Sequence, residues 1–158
     1  MYFIKQATAA DADAVAVLFE ALIREIVERS GGTTTAFGEA DPVELSRTLL
    51  AGGEYRVWLA LQEASGEPAG FLSLHGSASL YAGGRFGIIQ ELYVRPADRS
   101  HGLGRRLLEA AAAYAAESGW KRLEVCTPPL PAFERSLAFY EREGFVVTGG
   151  RKLKLTVT

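Results

Sequence analysis

The sequence holds one cysteine, Cys126, in 158 residues. A lone cysteine excludes an intramolecular disulfide and any multi-cysteine zinc site. Histidine is nearly as scarce, with only His75 and His101 present, which speaks against a structural metal centre. No apolar run approaches the roughly 20 residues of a membrane span. The start, Met1-Tyr2-Phe3-Ile4-Lys5, lacks the basic-then-apolar layout of a signal peptide. An excess of one charge is missing too: 17 basic residues stand against 19 acidic ones, a net of −2. Sequence-independent nucleic-acid binding draws on a cationic surface, and this balance argues against it. The absences together lead us to expect a reduced, cytoplasmic protein with no metal and no nucleic-acid or membrane partner. What the chain does have is 48% hydrophobic and 23% charged residues, ordinary for a folded protein. Its length predicts one domain, 1–158, able to bury a core without staples.

Tyr2 to Gln6 reads as a short strand. Thr8-Ala9-Ala10-Asp11 has a hydroxyl at a cap and a carboxylate three residues on. Behind it Val15, Leu18, Phe19, Leu22, Ile23 and Ile26 recur at helical spacing until Gly31-Gly32. Residues 33–40 read as a loop. Asp41-Pro42 opens a second helix, which buries Leu45, Leu49 and Leu50 and ends at Gly52-Gly53. Strands are predicted at Tyr55–Gln62, Ala69–His75 and Phe86–Val94, the first from alternating Tyr55, Val57, Leu59 and Leu61. Leu103, Leu107, Leu108, Ala111 and Ala115 mark a third helix closed by Gly119. Leu123–Cys126 is a strand, with Cys126 a small buried residue near its end. Pro128 to Pro131 is a rigid connector, and Ala132–Arg142 a fourth helix. Lys152–Val157 closes the chain as a strand on alternating Leu153, Leu155 and Val157. The order is β-α-α-β-β-β-α-β-α-β, a mixed α/β plan on one sheet.

The most informative stretch runs from Leu92-Tyr93-Val94-Arg95-Pro96 to Gly102-Leu103-Gly104-Arg105-Arg106. A strand ends, a loop follows, and a helix starts inside a glycine pair. Amides at a helix start are unpaired, and the helix dipole adds positive potential there. Glycine removes the Cβ that would keep a bulky anion off those amides. Arg95, Arg99, Arg105 and Arg106 face a single acid, Asp98. The same residues also suit a plain glycine turn with solvated arginines. A Walker loop is excluded by the missing Gly-Lys-Ser/Thr, and a dinucleotide fingerprint by the missing third glycine.

Arg99-Ser100-His101-Gly102-Leu103-Gly104 resembles the Arg/Gln-x-x-Gly-x-Gly/Ala signature of the GNAT (Gcn5-related) N-acetyltransferase superfamily. Phe139-Tyr140-Glu141-Arg142-Glu143-Gly144-Phe145 is similar to the family's aromatic-Tyr-Glu-x-x-Gly-Phe ending. The likeness covers nearly the whole chain. It implies an α/β GNAT fold: one mixed, mostly antiparallel sheet of about six to seven strands flanked by four helices. It further implies acetyl-CoA as cosubstrate. The pyrophosphate would lie on Arg99, Ser100, His101, Gly102, Leu103, Gly104 and Arg105, largely by main chain. The pantetheine would pair with the strand at Leu92, Tyr93 and Val94. Two positions depart from the pattern: Phe133 stands where many relatives have an asparagine that contacts pantetheine, and Ser136 where many have alanine.

Acetyl transfer to an amine needs a neutral amine, a polarised carbonyl and a protonated leaving thiolate. By its place in the family motif Tyr140 is the candidate general acid; a ring packed between helix and sheet is the other reading. Glu91 is the candidate base, directly or through water, with a plain surface carboxylate as the alternative. Its strand parity matches Ile89 and Tyr93, so one sheet face receives it. Glu20, Glu25 and Glu28 on the first helix are further acids for an amine pocket, or a solvated face. The expected acceptor is a primary amine of a small molecule or peptide, and a homodimer is left open. A non-catalytic acyl-CoA-binding or sensor protein on the same scaffold is the competing reading.

Overall fold

Period-two alternation builds the sheet. The computed structural model describes residues 1–32, 40–128 and 132–157. They form strands β1 (Tyr2–Gln6), β2 (Tyr55–Gln62), β3 (Pro68–Ser79), β4 (Gly84–Val94) and β5 (Leu123–Val125), ordered β1-β2-β3-β4-β5. The first four are antiparallel and β5 runs parallel to β4. Helices α1 (Ala12–Ser30), α2 (Pro42–Ala51), α3 (Leu103–Glu117) and α4 (Glu134–Arg142) complete the regular structure. The chain divides into two compact units, Met1–Cys126 and Thr127–Thr158. The sheet and α1–α3 make up the first unit, and α4 lies in the second.

Each predicted cap has its physical partner. Asp11 accepts from the Thr8 amide at 2.8 Å, and the pair caps a single 3-10 turn, Ala9–Asp11, that leads into α1. Asp41 accepts from the Val43 amide at 3.0 Å with Pro42 at the first helical position. Val57, Leu59, Phe71 and Tyr93 cluster on one face of the sheet with Val15 and Leu18 of α1. The neighbouring residues point the other way: the Trp58 ring lies 5.7 Å from Tyr114 of α3.

Several expectations change. The sheet has five strands among the described residues, not six or seven. The strand expected at Lys152–Val157 is irregular, with Leu153, Leu155 and Val157 at least 86% exposed. Alternation gives a chain two faces, but a strand also needs a neighbour for its N–H and C=O groups. The second unit contains no strand among its described residues. Cys126 is exposed, not buried, because β5 stops at Val125 and the thiol lies past its last rung. β3 extends four residues beyond His75, and α4 starts at Glu134 rather than Ala132. Residues 33–39 of the loop predicted at 33–40, and residues 129–131 of the connector predicted from Pro128 to Pro131, lie outside the described residues.

One irregularity positions the site. Ser73 pairs with Glu91, but Leu74 pairs with Ile89. Gln90 is the extra residue of a β-bulge. Residues opposite one another share a face, so Glu91 lies on the α1 side with Ser73, and Ile89 on the other with Leu74. The parity expected to link Glu91 with Ile89 is therefore broken, while that with Tyr93 survives.

Candidate active site

β4 and β5 pair only over Gly87–Ile89 and Leu123–Val125. From Gln90 to Val94 no strand covers that edge of β4 among the described residues, so its backbone polar groups are open to an extended ligand. This open edge includes Leu92, Tyr93 and Val94, and it runs directly toward the start of α3. Past Val94 the chain turns through Pro96–Asp98. Asp98 is buried and accepts from Tyr2 Oη at 2.8 Å and Gln62 Nε2 at 3.1 Å, which ties the turn to β1 and β2.

The loop then takes two residues into the left-handed region, Ser100 at φ 68° and Gly102 at φ 72°. A Cβ at Gly102 would meet nothing within 4 Å, so backbone conformation, not crowding, calls for glycine there. The first intrahelical bond of α3 runs from the Arg106 N–H to the Gly102 carbonyl at 3.1 Å. The amides of Leu103 and Gly104 precede it and have no place in the helical ladder. Leu103 turns its side chain into the core, 2% exposed. No acid occupies the first turn, so nothing native competes for the positive end of the dipole.

The arginines divide by role. Arg99 Nε donates to the Val94 carbonyl at 2.8 Å, and its Nη2 pairs with Glu25 of α1 at 2.9 Å. Its guanidinium also lies 5.6 Å from the Tyr93 ring centroid. The Arg99 side chain thus straps the loop to β4 and α1 instead of reaching outward. Arg105 is exposed and its Nε bonds Glu109 at 3.1 Å. Arg95 differs: its Nε is buried with no partner among the described residues, a donor left over on the stretch that leads from β4 to α3. His101 Nδ1 donates to the Asp98 carbonyl at 3.1 Å with its ring 5.5 Å from Tyr2. An open edge, free amides and an orphaned guanidinium N–H form a set that fits a pyrophosphate-bearing cosubstrate.

Glu91 is half-buried on the α1 side. Its Oε1 accepts from both Tyr55 Oη and Ser73 Oγ, and its own amide donates to Ser73 Oγ at 2.9 Å. No bond to Oε2 is found among the described residues. Burial first, and the Glu91 charge second, push the Tyr55 phenol above its usual range, so it stays a donor. Burial and then Glu25 raise Tyr93 likewise. Of the other acids, Glu25 is committed to Arg99, while Glu20 and Glu28 are exposed. The inventory read from sequence lacked Tyr55 and Ser73; the available signal was a hydroxyl in the apolar run Phe71-Leu72-Ser73-Leu74.

In the second unit, α4 ends in a cap that accounts for its motif. The Phe145 amide donates to the Tyr140 carbonyl at 3.0 Å and the Gly144 amide to the Glu141 carbonyl at 3.1 Å. Gly144 sits at φ 100°. This is a Schellman closure, whose usual apolar contact is the Tyr140 ring at 5.3 Å from Phe145. Tyr140 is 8% exposed, and burial pushes its phenol up. No hydrogen bond to its hydroxyl is found among the described residues. Phe133 is buried and its carbonyl accepts from the Ser136 amide at 3.1 Å.

The Acetyltransferase (GNAT) family profile matches residues 22–145. The chain belongs to that family. As a GNAT protein it is an acetyl-CoA-dependent acetyltransferase. It is 34% identical over 142 residues to the uncharacterized N-acetyltransferase YhfO of Bacillus subtilis (strain 168), covering 90% of this chain and 88% of that protein. A GCN5-related N-acetyltransferase from Ralstonia eutropha JMP134 superposes with a TM-score of 0.80 at 23% identity, over 98% of this chain and 99% of that one. An aminoglycoside acetyltransferase from an uncultured soil metagenomic sample, in complex with sisomicin, gives 0.78 at 19%, over 99% and 97%. These two likenesses establish the GNAT fold. No cluster of three or more metal-ligating side chains occurs among the described residues, and no helix among them is long and apolar enough to cross a membrane.

Proposed function

We propose that this GNAT enzyme, working as one domain over 1–158, transfers acetyl directly to a primary amine of a small molecule or peptide. The observation that carries the reading is the uncovered β4 edge running into the open start of α3. Acetyl-CoA supplies the activated thioester. The backbone of Leu92–Val94 pairs with its extended arm, and the amides from Ser100 to Gly104 receive its pyrophosphate, with Arg95 Nε a further donor. A backbone amide of the open edge, aimed at the thioester oxygen, stabilises the charge that develops there.

Glu91 takes the proton of the incoming ammonium through its unoccupied Oε2, directly or through one water. An amine with a pKa near ~10 is almost fully charged at neutral pH, so this step gates the reaction. Tyr140 gives a proton to the departing thiolate, and the second proton, which the nitrogen sheds as the amide forms, restores the phenol. That role rests on its place in the family motif and on a hydroxyl that burial keeps protonated. The acceptor class is a cationic amine, a polyamine, amino acid, aminoglycoside or peptide. Support for it is the exposed Glu20 and Glu28 on α1, and the aminoglycoside acetyltransferase shares the fold. A cytoplasmic location belongs to the same reading, and the single cysteine supports it.

The test is thiol release from acetyl-CoA with spermidine, sisomicin and a peptide bearing a free α-amine. Turnover with at least one acceptor, reduced most in Glu91→Gln and less in Tyr140→Phe, is expected. Tight acetyl-CoA binding without turnover on any amine would instead favour an acyl-CoA sensor.

A further inference from the structure

The β-bulge at Gln90 does more than aim Glu91. A bulge orphans backbone groups of the strand that carries it, and here Ser73 Oγ takes the Glu91 N–H at 2.9 Å. The same oxygen donates its own proton to Glu91 Oε1. Ser73 is fully buried, 0% exposed, so its hydroxyl has no water to turn toward. Tyr55, at the start of β2, brings a second proton to that same Oε1. Two hydroxyls from two neighbouring strands thus converge on one oxygen of one carboxylate and leave the other bare.

We propose that Tyr55 and Ser73 are positioning residues, which fix the Glu91 rotamer and occupy Oε1 so that Oε2 alone receives the amine proton. The inference rests on Glu91 being the base and adds what holds and orients it. A carboxylate free to rotate about its last torsion presents either oxygen in a broad range of directions. Two donors on one oxygen remove that freedom and keep the proton-accepting lone pairs within reach of the open β4 edge. Tyr55 stays protonated, since burial and the adjacent carboxylate both disfavour the phenolate. The polar groups on Glu91 are Tyr55 from β2 and Ser73 from β3; no charged side chain bonds it among the described residues.

The clean variant is Tyr55→Phe, which deletes one hydroxyl and keeps the ring. It is compared with Ser73→Ala, Glu91→Gln and the Tyr55→Phe/Glu91→Gln double. The readout that needs no acceptor is the set of Glu91 side-chain scalar couplings, measured by NMR in the full chain. They should report one rotamer in the parent and averaging over several in Tyr55→Phe. With an accepted amine, kcat should fall about tenfold while KM for acetyl-CoA stays unchanged. In the Glu91→Gln background, Tyr55→Phe should cost nothing further. Couplings that still report a single Glu91 rotamer in folded Tyr55→Phe overturn the proposal and leave the base assignment standing. So does an equal kcat loss with and without Glu91, the mark of a packing role. A fully active Glu91→Gln enzyme overturns both readings. Should Ser73→Ala fail to fold, Tyr55→Phe decides alone.

Discussion

Two helix ends carry the two motifs of this chain, and both use a left-handed glycine. At the start of α3, Gly102 sits at φ 72° and the amides ahead of Arg106 have no helical partner. At the end of α4, Gly144 sits at φ 100° and the same kind of turn closes back on the helix, with Gly144 and Phe145 donating to Glu141 and Tyr140. Similar backbone, opposite outcome. A motif glycine marks a binding site where it leaves polar groups open, and a structural joint where it satisfies them. The Tyr-Glu-x-x-Gly-Phe spacing therefore has one source in the structure, the meeting of tyrosine and phenylalanine across the cap, and the proposed function adds a second, a tyrosine hydroxyl that serves chemistry.

That contrast can be broken one end at a time. The largest effect is expected at the open end. Gly102→Val places a β-branched residue at positive φ, costs about 1–3 kcal/mol of loop strain, and should weaken acetyl-CoA binding by about 100-fold on calorimetric titration. Next comes the proposed base: Glu91→Gln should lower kcat by about 100-fold in a steady-state thiol-release assay, with the Tm unchanged. The closed end should separate ring from hydroxyl. Tyr140→Phe keeps the Phe145 contact and should leave Tm unchanged while kcat falls about tenfold. Tyr140→Ala should also lose about 2–4 kcal/mol in denaturant unfolding. Gly144→Ala should cost about 1–2 kcal/mol with kcat retained, the signature of a joint.

The smallest effect is a pH dependence. Tyr55 and Tyr140 have folded-state pKa values raised above the ordinary 10.0. Their contribution is complete below that value and is lost as pH climbs above it, because the unfolded chain gives up these protons first. Unfolding free energy should fall above pH 10, and less steeply in Tyr140→Phe and Tyr55→Phe. Equal slopes in all three proteins would contradict the burial of these phenols.

How much of this was legible in the sequence follows from what kind of interaction each feature uses. Local chemistry was readable. Thr8 with Asp11, Asp41 with Pro42, and Gly31 at the end of α1 all sit where their spacing puts them. The glycine pair at 102 and 104 opens α3 as expected. Features that need a partner far away were not. Leu153, Leu155 and Val157 alternate as a strand does, yet alternation says nothing about whether a neighbour exists. The Gln90 bulge is invisible because strand parity assumes an unbroken ladder, and it reversed the face assigned to Ile89 relative to Glu91. Arg99 carries the right charge for a phosphate, but Glu25, 74 residues away, claims its side chain. Tyr55 and Ser73 meet Glu91 only once three strands align.

The central claim is that the open start of α3 is where acetyl-CoA binds. The most direct measurement is calorimetric titration of the full chain and of Gly104→Leu with acetyl-CoA, beside a Tm for each. Micromolar-range binding by the parent, and none by a variant with the parent's Tm, is the result this account predicts. Equal affinity in both proteins would place the cosubstrate elsewhere and contradict it.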